Sequence, residues 1–171
     1  MSGFHSHVHH HASHAAAAEH GLLMRRATQF SVAVALILIV VKFVAWSVTD
    51  SLSLLSSLAD SLLDALASLI TLMAVRYALQ PPDKEHRFGH GKAEDIAGLA
   101  QATFIAGSGL FICIEAIHRL FKPEAVSHGT VGIGVMIFSI LLTSVLVLYQ
   151  RHVIRKTGST AVHADSLHYL M

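Results

Sequence analysis

The sequence predicts an all-α membrane protein, an antiparallel transmembrane helix bundle with four complete helices and the start of a fifth. Three observations carry this reading. Of 171 residues, 53% are apolar and 13% charged, with a mean hydropathy of +0.58, which is membrane rather than soluble composition. Four apolar runs, at about 27–48, 52–79, 95–117 and 129–149, are each long enough to cross a bilayer, which takes about 20 residues at 1.5 Å of rise. Polar segments separate them, the shortest being Thr49-Asp50-Ser51, so the first two runs form an antiparallel hairpin. The net charge of +1 is spread between the apolar runs rather than gathered on a basic face, so nucleic-acid binding has no support. The single cysteine, Cys113, lies inside an apolar run and is expected to be a small buried apolar residue, with no disulfide framework around it.

Residues 1–21 hold His5, His7, His9, His10, His11, His14 and His20 among Ala, Ser and Gly. Such a segment cannot build a core and is expected to be a disordered cytoplasmic tail. Its dense imidazoles can gather Zn²⁺ and similar ions weakly. An affinity tag is the rival reading, and the interruptions by Ser, Val and Ala favour a natural tail. The first span follows Arg25 and Arg26 and is too long for a signal peptide. It carries Lys42 near its far end beside Trp46, where snorkelling to the interface is the simplest expectation.

The second span is the one around which the rest is arranged. Ser53, Ser57, Asp60, Asp64, Ser68 and Thr71 step by three or four residues and so form one polar stripe on an apolar helix. Each aspartate at mid-membrane costs about 2.5–3.5 kcal/mol on insertion scales, so the pair must face other helices or a water-filled path. Two carboxylates at i,i+4 repel unless a proton or cation lies between them. A divalent metal ion is the natural occupant. Pro81 and Pro82 end this span. The loop that follows, QPPDKEHRFGHGKA, carries Asp83, His86 and His90 at spacings of three and four. Their oxygen and nitrogen atoms suit Zn²⁺, although by spacing alone a solvated loop serves equally well.

The third span carries Glu94, Gln101, Ser108 and Glu115 every seven residues and a small-residue seam of Gly98, Ala102, Ala106 and Gly109, which suits close helix contact. After the fourth span, a fifth apolar segment, 160–171, contains His163, Asp165 and His168. Nine Lys or Arg residues fall at the N-terminus, around the loop between spans two and three, and after span four, against Arg119 and Lys122 on the other side. The N-terminus and that loop are therefore expected to be cytoplasmic. In this topology Asp60, Asp64 and His168 all reach roughly the midplane, so His168 can meet the aspartates if its helix neighbours theirs.

The stretches LADSLLDALASL, DKEHRFGHGKAEDIAGLAQ and RKTGSTAVHADSLHYLM together resemble the cation diffusion facilitators, most closely a bacterial branch that exports ferrous iron and zinc. The resemblance runs from about residue 22 to the end and does not include the His-rich tail. It implies a six-helix transmembrane domain, a cytoplasmic metal-binding domain after it, a homodimer in the bacterial cytoplasmic membrane, and exchange of a divalent metal for protons by alternating access, with no enzyme activity. It implies that Asp60, Asp64 and His168 are three of four ligands of the transport site, the fourth coming at position 172, and that Asp83, His86 and His90 form a second site. On this reading 22–171 is a partial transmembrane domain, and the chain resembles the N-terminal portion of a transporter. Zn²⁺, Fe²⁺, Cd²⁺ or Co²⁺ fits an Asp/Asp/His set. The alternative is a non-transporting membrane metal-binding protein, a sensor or buffer.

Overall fold

A computed structural model describes residues 6–121 and 129–170 of the chain. Five helices follow one another: α1 (Ser6–Thr49), α2 (Leu52–Ala78), α3 (Lys92–Phe121), α4 (Gly129–Thr157) and α5 (Thr160–His168). The first four are long and apolar enough to cross a membrane. The helical backbone of α1 starts at Ser6, within the segment whose composition suggested disorder. Ala15–Ala18 supply strong helix formers there, and an already nucleated helix extends at little further cost.

The helix ends follow from local chemistry. Asp50 adopts φ +50°, a left-handed conformation that aspartate tolerates, and its N–H donates to the Trp46 carbonyl at 2.7 Å. That reverses the chain from α1 into α2. At the other side of the bundle Gly158 takes φ +67° and donates its N–H to Ile154 at 2.8 Å, the left-handed stop that glycine allows. Ser159 then caps α5, its Oγ accepting from the N–H of Val162 at 3.2 Å. The same Oγ donates to Glu94 of α3. Glu94 also accepts the Ala161 N–H at 3.3 Å, and Asp95 accepts from Thr160 Oγ1 at 3.1 Å. Two carboxylates of α3 therefore meet the positive end of α5, and the start of α3 locates the start of α5.

Packing is concentrated on one side of the bundle. Met24, Val75 and Ala161 form one apolar cluster, Ala27, Val153 and Val162 a second, and Val34, Leu38 and Leu146 a third. α1 lies against α2 and α4, α3 lies against α2 and α5, and α5 touches all four other helices. Outward faces of α3 and α4 present Ile114, Ile133, Ile137 and Leu141, as a lipid-facing surface requires. Cys113 is exposed among them, not buried as expected, because α3 contributes only one face to the bundle. Of the small-residue seam, Gly98 approaches the α5 backbone at Thr160, whereas Ala102 and Ala106 are exposed.

The interior of the bundle is polar as well as apolar. Asp165 is fully buried. Its Oδ2 accepts from Ser31 Oγ at 2.6 Å and from Gln150 Nε2 at 2.7 Å, and its Oδ1 accepts from Ser68 Oγ at 3.2 Å and Gln101 Nε2 at 3.5 Å. One carboxylate of α5 is thus bonded to α1, α2, α3 and α4. Gln101 also donates to Thr71, and the Tyr169 hydroxyl lies 2.9 Å from Ser68 Oγ. A buried carboxylate is costly unless its lone pairs are engaged, and here both oxygens are.

Candidate metal centres

The polar stripe of α2 divides along its length. Ser68 and Thr71 are buried in the network around Asp165. Asp64 is partly buried and Asp60 exposed, and both line a cavity of about 280 Å³ shared with Lys42, Ser108 and His168. His168 lies one helical turn beyond Asp165, on the same face of α5. Its ring stands 5.5 Å from that of Phe104 and 5.8 Å from that of Tyr169. These contacts leave the His168 side chain 8% exposed and bring its Nε2 to 2.9 Å from Asp64 Oδ1. The nitrogen makes no well-aligned hydrogen bond in that contact. A buried imidazole nitrogen and a carboxylate oxygen converge as two ligand atoms do, with room for a proton or a cation to join them.

The structure therefore brings Asp64 and His168 together and places Asp60 on the same cavity wall. Among the described residues, the one triad whose ligand atoms all lie within 4.8 Å of one another is Asp83, His86 and His90. Asp83 Oδ1 accepts the backbone N–H groups of Glu85 at 2.9 Å and His86 at 2.6 Å, an aspartate turn that shapes the loop. Gly89, at φ +81°, returns the chain so that its N–H meets the His86 carbonyl at 2.9 Å. His86 Nδ1 then lies 3.2 Å from one Asp83 oxygen and His90 Nε2 3.3 Å from the other. His90 is buried edge-on to Tyr77, ring centres 4.5 Å apart, and its Nδ1 has no hydrogen-bond partner. Donation from the His86 backbone N–H, with help from Glu85, holds the Asp83 carboxyl below the usual carboxylate range. An ionised oxygen donor facing two imidazoles suits Zn²⁺ or a similar borderline cation.

His5 lies outside the described residues, as do the side chains of His7, His9, His10, His11, His14 and Glu115 and the residue Lys122. Lys42 departs from its expected course. Its ammonium does not follow α1 to the interface but crosses to α2, donating to the Ser57 carbonyl at 3.1 Å and to Ser61 Oγ at 2.7 Å. Acceptors inside the bundle lie within reach, and a helix carbonyl keeps a free lone pair. Sequence reasoning also gave no role to Asp165, Gln150 and Ser31. The spacing of Asp165 three residues before His168 was a usable signal, and an intramembrane lysine is itself a mark of function.

Residues 28–171 match the cation efflux transmembrane domain. Over 150 residues, 88% of this chain and 50% of the relative, the sequence is 51% identical to the cation-efflux pump FieF of Salmonella arizonae. It is 50% identical, over the same shares, to the FieF pumps of Salmonella paratyphi A and Salmonella agona. The chain spans about half the length of these curated relatives. With four membrane-length helices and a family match that covers most of its residues, the chain belongs to the cation efflux family.

Proposed function

We propose that this chain forms the metal-handling part of a divalent cation efflux transporter that exchanges Zn²⁺ or Fe²⁺, and by the same ligand chemistry Cd²⁺ or Co²⁺, for protons by alternating access. Asp60, Asp64 and His168 supply transport ligands within the membrane. Asp83, His86 and His90 hold a second ion in the loop between α2 and α3. The histidines of the N-terminal segment gather metal weakly. The loop and the N-terminus face the bacterial cytoplasm, and the working transporter is a homodimer in the inner membrane.

One observation carries the reading most: the buried His168 Nε2 stands 2.9 Å from Asp64 Oδ1 in a cavity inside the membrane-spanning region. These atoms hold a metal only when deprotonated, so metal entry must expel protons and proton entry must weaken metal binding. Exchange follows from shared ligands. In sealed vesicles containing the transporter, Asp64→Asn should reduce Zn²⁺-driven proton release to the level of empty vesicles. Release equal to wild type in stopped-flow pH recordings would overturn the assignment.

The second reading is a membrane metal binder that does not transport. It is favoured by one fact, that among the described residues the tightest triad lies in the loop rather than in the membrane. Zn²⁺ bound by the protein without accumulating inside vesicles would select it.

A further inference from the structure

We infer that Lys42 is the resident counter-cation of the membrane cavity, a residue that sets how tightly the cavity holds a divalent ion. The inference rests on the proposed role of Asp64 and His168 as ligands, and it adds a determinant of affinity to that site.

Lys42 lies seven residues before the end of α1, and Asp60 eight residues after the start of α2. Across the antiparallel hairpin the two stand at about the same depth, some 10 Å in from the connection. The cavity that Lys42 lines is the one lined by Asp60, Asp64 and His168. Its ammonium is pinned there by the Ser57 carbonyl and by the buried Ser61 Oγ. The acceptors sit one turn apart on α2, Ser57 three residues before Asp60 and Ser61 three residues before Asp64. An ammonium has three donors, and these two contacts leave a third for the cavity.

Holding a lysine at this depth is expensive in a membrane unless it meets opposite charge or polar backbone. A snorkelling lysine would avoid that cost by following α1 outward. The inward course makes sense if the charge is needed where it lies. Without metal, two carboxylates share a poorly screened space and repel each other. The ammonium neutralises half of that charge. When a divalent ion arrives, the same ammonium repels it, so the filled site is weaker than its ligands alone would make it. A cavity built to release its cargo needs such a restraint: ligands chosen only for affinity would hold the ion.

The test is Zn²⁺ binding to the purified protein in lipid nanodiscs at fixed pH, by titration calorimetry. The part of the isotherm lost in Asp64→Asn defines the membrane site and separates it from the loop and the N-terminal histidines. Lys42→Gln should tighten that part by about tenfold or more, the scale expected for removing one like charge at close range. Lys42→Arg, which keeps the charge, should restore the wild-type affinity, which a purely structural role would not require. Lys42→Met, close to lysine in shape, should match Lys42→Gln and guards against a folding defect specific to glutamine, with helicity by circular dichroism as the check. Unchanged or weaker Asp64-dependent binding in both neutral variants would overturn the counter-cation. Absence of any Asp64-dependent binding would instead overturn the ligand assignment on which it rests.

Discussion

At the scale of single residues, the loop cluster is the sharper of the two proposed centres. Each oxygen of Asp83 faces one imidazole, and the buried His90 is held by Tyr77. His90→Ala should therefore weaken loop-site Zn²⁺ binding by at least about tenfold, the scale seen when metal-site groups are removed. Equilibrium dialysis showing wild-type affinity would reduce the loop to a solvated turn. The lowered Asp83 pKa also fixes a sign. A carboxyl whose folded pKa lies below its unfolded value stabilises the turn above the unfolded value, about pH 4, and loses that contribution as pH falls through the lowered value. Protection of the His86 amide should thus persist from neutral pH down to about pH 4 and fade only below it. Amide exchange that is already fast at pH 6 would contradict the hydrogen-bonded turn.

At the scale of elements, α5 is the helix that meets all four others. Glu94 and Asp95 grip its start, and Asp165 ties its middle to the other four helices. His168 follows one turn later, so its position is inherited from Asp165. Removing that carboxylate takes the charged acceptor from Ser31, Ser68 and Gln150 and leaves them only the Ala27 carbonyl, the Tyr169 hydroxyl and Ser31 Oγ as remaining partners, a loss of about 1.5–3 kcal/mol for a hydrogen bond to a charged group. Asp165→Ala should lower the thermal midpoint in detergent and speed amide exchange in α5. An unchanged midpoint would show that the carboxylate does not hold the helix in place. The heptad stripe of α3 has its explanation at the same scale. Glu94 meets the α5 terminus, Gln101 enters the Asp165 network and Ser108 lines the cavity of Asp60, Asp64 and His168.

At the scale of the whole molecule, the arrangement has a packed side and a lipid side. Buried contacts gather where α1, α2, α4 and α5 meet, while α3 and α4 turn apolar side chains outward. The proposed orientation, with the N-terminus and the loop between α2 and α3 in the cytoplasm, rests on positive charge and can be tested directly. In a Cys113→Ser background, Leu52→Cys should react with a membrane-impermeant maleimide added to intact cells, and Lys84→Cys should not. The opposite labelling pattern would invert the topology and place the loop site outside.

The sequence by itself determined the helix count and the hairpin, whereas α1, α3 and α4 run beyond the apolar runs that marked them, because helix formers continue the backbone past the bilayer-length core. Count and hairpin depend on hydrophobic runs, turn residues and the bilayer's thickness, all of which are local or external to the fold. It also marked Asp60, Asp64, Asp83, His86, His90 and His168, because ionisable groups in apolar runs and ligand-type spacings stand out without a structure. Only the tertiary structure decided which of these meet. Asp64 and His168 lie over a hundred positions apart, and their 2.9 Å contact exists because α5 is clamped between the other helices. The same is true of Asp165 and Lys42. A buried carboxylate and an inward-turned ammonium are tolerable only when partners from other helices are in place, and no local pattern in the chain records those partners.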